Sequence, residues 1–136
     1  MFSGLSAEQL SRFDTDGYLV VEDVLSSANL GAIEEEYTEI MACSTANLVQ
    51  AGLLNPLKSE DFGAQFIESL QQLEDMYDLY QYLDMSLPLF DELDESVSMN
   101  AWRAVFDLLT NQRVLNIVES VIGPDIYSNP VQHTRI

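Results

Sequence analysis

Cations are scarce in this chain. Five lysines and arginines face 23 aspartates and glutamates, a formal net charge of −18, so nucleic-acid phosphates and anionic membrane surfaces repel it at ordinary salt. Neither nucleic acid nor membrane is therefore expected as a partner. Between Arg12 and Arg103 the one base is Lys58, which leaves most carboxylates of the middle region without a local counter-charge. That acidity reads as a solvated surface, with a cationic partner as the sharper alternative. Cysteine occurs once, at Cys43; it excludes an intramolecular disulfide, offers no zinc or dithiol spacing, and fits a reducing, cytoplasmic setting. Histidine also occurs once, at His133, so a metal site that needs two imidazoles cannot be assembled from one copy of the sequence. No apolar run is long enough to cross a bilayer, and the opening MFSGLSAEQ lacks the basic segment and apolar core of a signal peptide. Phosphate-cradling glycine motifs, nucleophile elbows and zinc-protease helix motifs are missing too.

What is present is apolar enough to fold. With 136 residues and 47% hydrophobic content, the chain fits one domain or part of a larger one. Residues 1–136 read as a single unit: a helix and short strand over 1–25, a helical middle over 26–110, and a helix with a terminal strand over 111–136. The first stretch, LSAEQLSRFDTDGYLVVEDVL, is the most informative. Ser6 with Gln9 three residues on forms a capping box, and Leu5 and Leu10 occupy the positions of a hydrophobic staple. Asp16-Gly17 supplies a left-handed helix stop, and Tyr18 to Val21 reads as a short apolar strand.

Ser26 or Ser27 caps the next helix, whose apolar residues Leu30, Ile33, Tyr37, Ile40 and Met41 recur on one face. Its other face carries Glu34, Glu35, Glu36 and Glu39, a solvated cluster or, less simply, a site for a divalent cation. Cys43 to Lys58, with Gly52 and Asn55-Pro56, reads as a loop or short irregular helix. From Ser59 to about Asp84 the spacing predicts the longest helix, with Phe62, Phe66, Ile67, Leu70, Leu73, Met76, Tyr77, Tyr80 and Leu83 on one broad stripe. The stripe suits a core, or a lid over an apolar substrate. Met85 to Ser98 has a loop composition without the glycine and alternating ligands of a calcium loop. Helical spacing resumes over Ala101 to Leu109, restarts at Thr110 or Asn111 and runs to Ile122, where Gly123-Pro124 closes it. Ile126 to Ile136 looks extended, although Pro130 forbids a continuous central ladder.

Two segments together resemble the N-terminal portion of the phytanoyl-CoA dioxygenase family of iron(II)- and 2-oxoglutarate-dependent oxygenases. One is LSAEQLSRFDTDGYLVV at Leu5 to Val21 with Val24-Leu25-Ser26; the other is VLNIVESVIGPDI at Val114 to Ile126 followed by SNPVQHTRI. They cover about a third of the chain and bracket a middle that varies in such families. The resemblance implies an α+β, predominantly helical N-terminal region with short strands, attached to a double-stranded β-helix (jelly roll). It also implies Fe(II) and 2-oxoglutarate as cofactors, a small-molecule substrate of the full-length enzyme, and the rest of the jelly-roll domain as structural partner.

In that family the iron sits on a His-x-Asp pair and a distant His. Residues two apart on a strand face the same side, so both ligands of the pair reach one metal. This sequence has no His-x-Asp: Thr134 and Arg135 follow His133. The catalytic core is thus expected to lie outside the chain, which is expected to be inactive alone, with no catalytic or metal-ligating residue of its own. On the terminal strand, Val131, His133 and Arg135 share one face and Gln132 and Thr134 the other. Arg135 and Gln132 are candidate 2-oxoglutarate contacts, since a guanidinium pairs with a carboxylate through two hydrogen bonds, and His133 is a candidate substrate contact. The contrasting reading is a stand-alone acidic helical module that meets a basic partner by charge complementarity.

Overall fold

A computed structural model describes residues 4–85, 100–129 and 131–134. Among these are six helices: α1 (Ala7–Asp16), α2 (Ser27–Gln50), α3 (Phe62–Gln72), α4 (Tyr77–Leu83), α5 (Arg103–Leu109) and α6 (Gln112–Ile122). Short-range chemistry sets most of their ends. The Ser6 hydroxyl accepts from the Gln9 N–H at 3.2 Å while the Gln9 side chain accepts from the Ser6 N–H at 2.9 Å, completing the expected capping box. Gly17 (φ 76°) ends α1 in the left-handed region, its N–H on the Phe13 carbonyl. Of the two serines eligible to open α2, Ser26 does so, in reciprocal hydrogen bonds with Asn29. Asn111 caps α6 and Gly123 closes it.

Three expectations are corrected. The predominantly helical character expected is present, but among the described residues the short strands of an α+β fold are not, and only an isolated antiparallel bridge joins Met85 and Gln132. Tyr18 to Val21 does alternate outward and inward, with Tyr18 and Val20 at 69% and 75% exposure. Period-two patterning makes a chain extended, but a strand also requires a neighbour for its N–H and C=O groups. Likewise Ile126 to Ser128 runs without a partner strand.

The helix expected from Ser59 to Asp84 is two helices. Asp61 caps α3 by accepting from the Ala64 N–H at 2.9 Å. Leu73 then leaves helical dihedrals (ψ 137°), and Asp75 restarts the chain by accepting the Tyr77 N–H at 2.8 Å. An Asx turn competes successfully with the apolar periodicity there. Conversely, α2 runs on through Cys43 to Gln50, where a loop or short irregular helix had been expected. Met41, Ser44, Thr45 and Leu48 are buried on it, and both hydroxyls return to the Met41 carbonyl, so the polar residues enter the interior already satisfied. The loop expected over Met85 to Ser98 lies, apart from Met85, outside the described residues.

The chain divides into two compact units, Met1–Ala32 with Arg103–Ser128, and Ile33–Trp102 with Asn129–Ile136. The second holds the core: Ile40, Met41, Leu48, Leu54, Phe66, Leu79 and Leu83, flanked by half-buried aromatics such as Tyr37 and Tyr82. Phe66 and Tyr80 meet edge to face at 6.0 Å between ring centroids. Of the predicted stripe, Phe66 and Leu83 are core, whereas Ile67, Met76 and Tyr77 are more than half exposed.

The first unit is built differently. The Leu5 N–H donates to the Ser120 hydroxyl at 2.9 Å, and Arg113 reaches the Asp23 carbonyl at 3.2 Å. Gly4, with φ 57°, lies so close to Ser120 and the Asn116 carbonyl that a side chain there would collide with them. Yet α1, α5 and α6 contain no buried residue.

Candidate functional site

The polar groups of the second unit converge where α4 ends. Asp84 is the C-cap of α4, its N–H on the Tyr80 carbonyl, and it is 8% exposed. A carboxylate at a helix C-terminus opposes the helix dipole, so this one needs other partners. One carboxylate oxygen lies 2.8 Å from His133 Nδ1, and the other accepts the Thr134 N–H at 2.6 Å. The Thr134 hydroxyl donates to the Leu83 carbonyl at 3.0 Å and stands 2.7 Å from the Tyr37 hydroxyl. Next to them, Met85 and Gln132 exchange backbone hydrogen bonds in both directions, at 3.0 and 2.7 Å. Asn100 closes the far side by donating to the Gln81 and Asp84 carbonyls at 2.8 and 3.0 Å. The 131–134 segment is thus joined to the end of α4 through the buried Asp84 carboxylate and to α2 through the Thr134 and Tyr37 hydroxyls.

Burial pushes the Tyr37 phenol above its ordinary range. The Thr134 hydrogen bond works in the opposite direction, while the negative charges of Asp84 and Glu36 add to the rise. Tyr37 is therefore a neutral hydrogen-bonding group here rather than a source of phenolate.

The three residues singled out from the sequence have different fates. His133 has its Nδ1 edge on Asp84 and its side chain 57% exposed, so a carboxylate orients the ring while the remainder faces outward. That is the arrangement of an imidazole prepared for a contact through Nε2. Gln132 makes its bridge through the backbone and turns its side-chain amide onto the Asn129 carbonyl. Arg135 lies outside the described residues.

Tyr37, Asp84, Thr134 and Asn100 were not identified from the sequence. Two signals pointed to them: a tyrosine on an apolar helix face needs a partner for its hydroxyl, and an acid at a helix C-terminus is electrostatically misplaced.

The fit to a ferrous centre is poor within these residues. Their one imidazole has a ring nitrogen engaged by Asp84, and among the described residues no three His, Cys, Asp or Glu side chains gather as metal ligands. No step through iron is assigned to them. Of the acidic face on α2, Glu36 and Glu39 border a groove with Tyr82 and Trp102. No helix among the described residues is long and apolar enough to cross a membrane. No family model, curated protein or solved structure matches the chain.

Proposed function

We propose that this chain is the helical N-terminal region of an iron(II)- and 2-oxoglutarate-dependent oxygenase of the phytanoyl-CoA dioxygenase type, a support and substrate lid for a jelly roll that supplies the iron. The observation that carries this reading is the first unit. Its α1 and α6 have apolar faces but no buried side chain, and Tyr18 to Val21 is an extended apolar run with no strand beside it among the described residues. Such surfaces suit a covering β-sheet, whose edge pairs the backbone and whose face takes up the apolar side chains. The two segments that carry the family resemblance contain these same elements.

On this reading Gln132 and Arg135 contact 2-oxoglutarate and His133 contacts the substrate, its ring already oriented by Asp84. The setting is the reducing cytoplasm, to which a lone Cys43 is suited. A stand-alone acidic module is the competing reading, favoured by the charge of −18.

Succinate release separates the two. The 136-residue chain, given Fe(II), 2-oxoglutarate and oxygen, is expected to release none. A longer product of the same reading frame is expected to carry His-x-Asp beyond Ile136 and to release succinate, and to lose this activity when residues 1–25 are removed. Turnover by the chain alone, or a downstream frame without the iron motif, overturns the proposal.

A further inference from the structure

The hydrogen bond between His133 and Asp84 fixes more than the direction of the ring. An ionised carboxylate can only accept, and that of Asp84 has the Thr134 N–H on one oxygen at 2.6 Å and His133 Nδ1 on the other at 2.8 Å. Nδ1 must therefore bring the hydrogen. A neutral imidazole carries one N–H, so the same contact leaves Nε2 as a bare acceptor, on a side chain that is 57% exposed and makes no other hydrogen bond among the described residues. In water the neutral side chain favours the opposite form, with its hydrogen on Nε2. Asp84 reverses that preference.

We infer that Asp84 is a positioning residue that holds His133 in the Nδ1–H tautomer, and that Nε2 accordingly takes a hydrogen-bond donor from the substrate, a hydroxyl, amide or ammonium group rather than a carboxylate or phosphate. The class of substrate rests on the oxygenase reading, in which His133 contacts it; the tautomer does not. Electrostatics point the same way. The charged groups that act on the adjoining Tyr37 hydroxyl, Asp84 and Glu36, are both negative, so an anionic group at Nε2 would meet a lone pair on the ring and repulsion behind it. A donor meets neither. In that reading the carboxylates of 2-oxoglutarate are assigned to Gln132 and Arg135, which leaves His133 to select the substrate by a neutral or cationic polar group, since a site built to hydrogen-bond a donor rejects a molecule that lacks it.

His133 is the one histidine of the chain, so its ring nitrogens are read without overlap. The 15N-labelled chain is examined by long-range 1H–15N correlation at about pH 9, above the ordinary imidazole value of about 6.5, where a bare ring nitrogen resonates far downfield of one that bears hydrogen. The bare nitrogen is expected to be Nε2. In Asp84→Asn the Thr134 N–H keeps the amide oxygen, which turns the amide N–H groups toward Nδ1, and the bare nitrogen is expected to become Nδ1. Should the 131–134 segment come free in that variant, the ring returns to its preference in water and the same exchange is seen. The unaltered chain is then titrated at the same pH and fixed ionic strength with inorganic phosphate and with acetate, and neither is expected to shift the Nε2 signal saturably. A bare Nδ1 in the unaltered chain, hydrogen on both nitrogens, an Asp84→Asn chain with Nε2 still bare, or a saturable shift with either anion overturns the inference and leaves the oxygenase reading standing. Absence of succinate release by the longer product overturns that reading and leaves the tautomer as measured.

Discussion

Tyr37 shows how one side chain links burial, hydrogen bonding and pH. Its hydroxyl lies 2.7 Å from Thr134 and is kept protonated chiefly by burial. A phenol whose folded pKa is raised contributes stability that is fully present below its unfolded value near 10 and is lost as pH rises through the folded value. Melting temperature is therefore expected to fall above about pH 10, and part of that fall belongs to Tyr37. Tyr37→Phe is expected to be the less stable protein at about pH 8, by about 1 kcal/mol for the lost hydrogen bond. The gap between the two should narrow towards about pH 11, as the parent alone has this phenol to ionise. A constant gap across that interval would show that Tyr37 titrates alike in folded and unfolded chains. At this scale the readable residues are those whose partners lie three or four positions away, such as Ser6 with Gln9. Asp84 and His133 are 49 residues apart, and no local pattern joins them.

Helices show where periodicity succeeds and where it is overruled. α1 and α6 start and stop at residues with a defined local role, and both were readable from Ser6, Gly17, Asn111 and Gly123. The apolar stripe from Phe62 to Leu83 continues across the break at Leu73, because spacing records which side is apolar and not whether the backbone stays helical. Only the local competition of Asp75 for the Tyr77 N–H reveals the break. Tyr18 to Val21 has the opposite problem: its alternation is readable, but its partner is not a near neighbour. Within α3, Ser69 is fully buried and its hydroxyl has no partner among the described residues. Removing an unsatisfied buried hydroxyl while gaining helix propensity favours the folded state. Ser69→Ala is thus expected to raise unfolding free energy by about 0.5–1 kcal/mol in urea titrations. A loss of similar size would mean that the hydroxyl is satisfied in solution.

The whole molecule distributes its stability unevenly. Every buried apolar side chain among the described residues lies in the second unit, on α2, α3, α4 or at Leu54. The first unit keeps apolar residues at its surface, including Val20, Phe106, Ile122 and Tyr127 at 93% exposure. Length and composition indicated that a core was possible, but not that it would belong to one part of the chain. That asymmetry is the physical basis for reading the first unit as a surface awaiting a covering sheet. Native-state hydrogen exchange on the chain alone tests it most directly, because protection follows the buried contacts that must open. Amides of α3, α4 and the Ile33–Gln50 part of α2 are expected to exchange slowly and together, while those of α1 and α6 exchange at least about tenfold faster. Equal protection of α1, α6 and the second unit would mean that the first unit already has a core of its own, and would contradict the account.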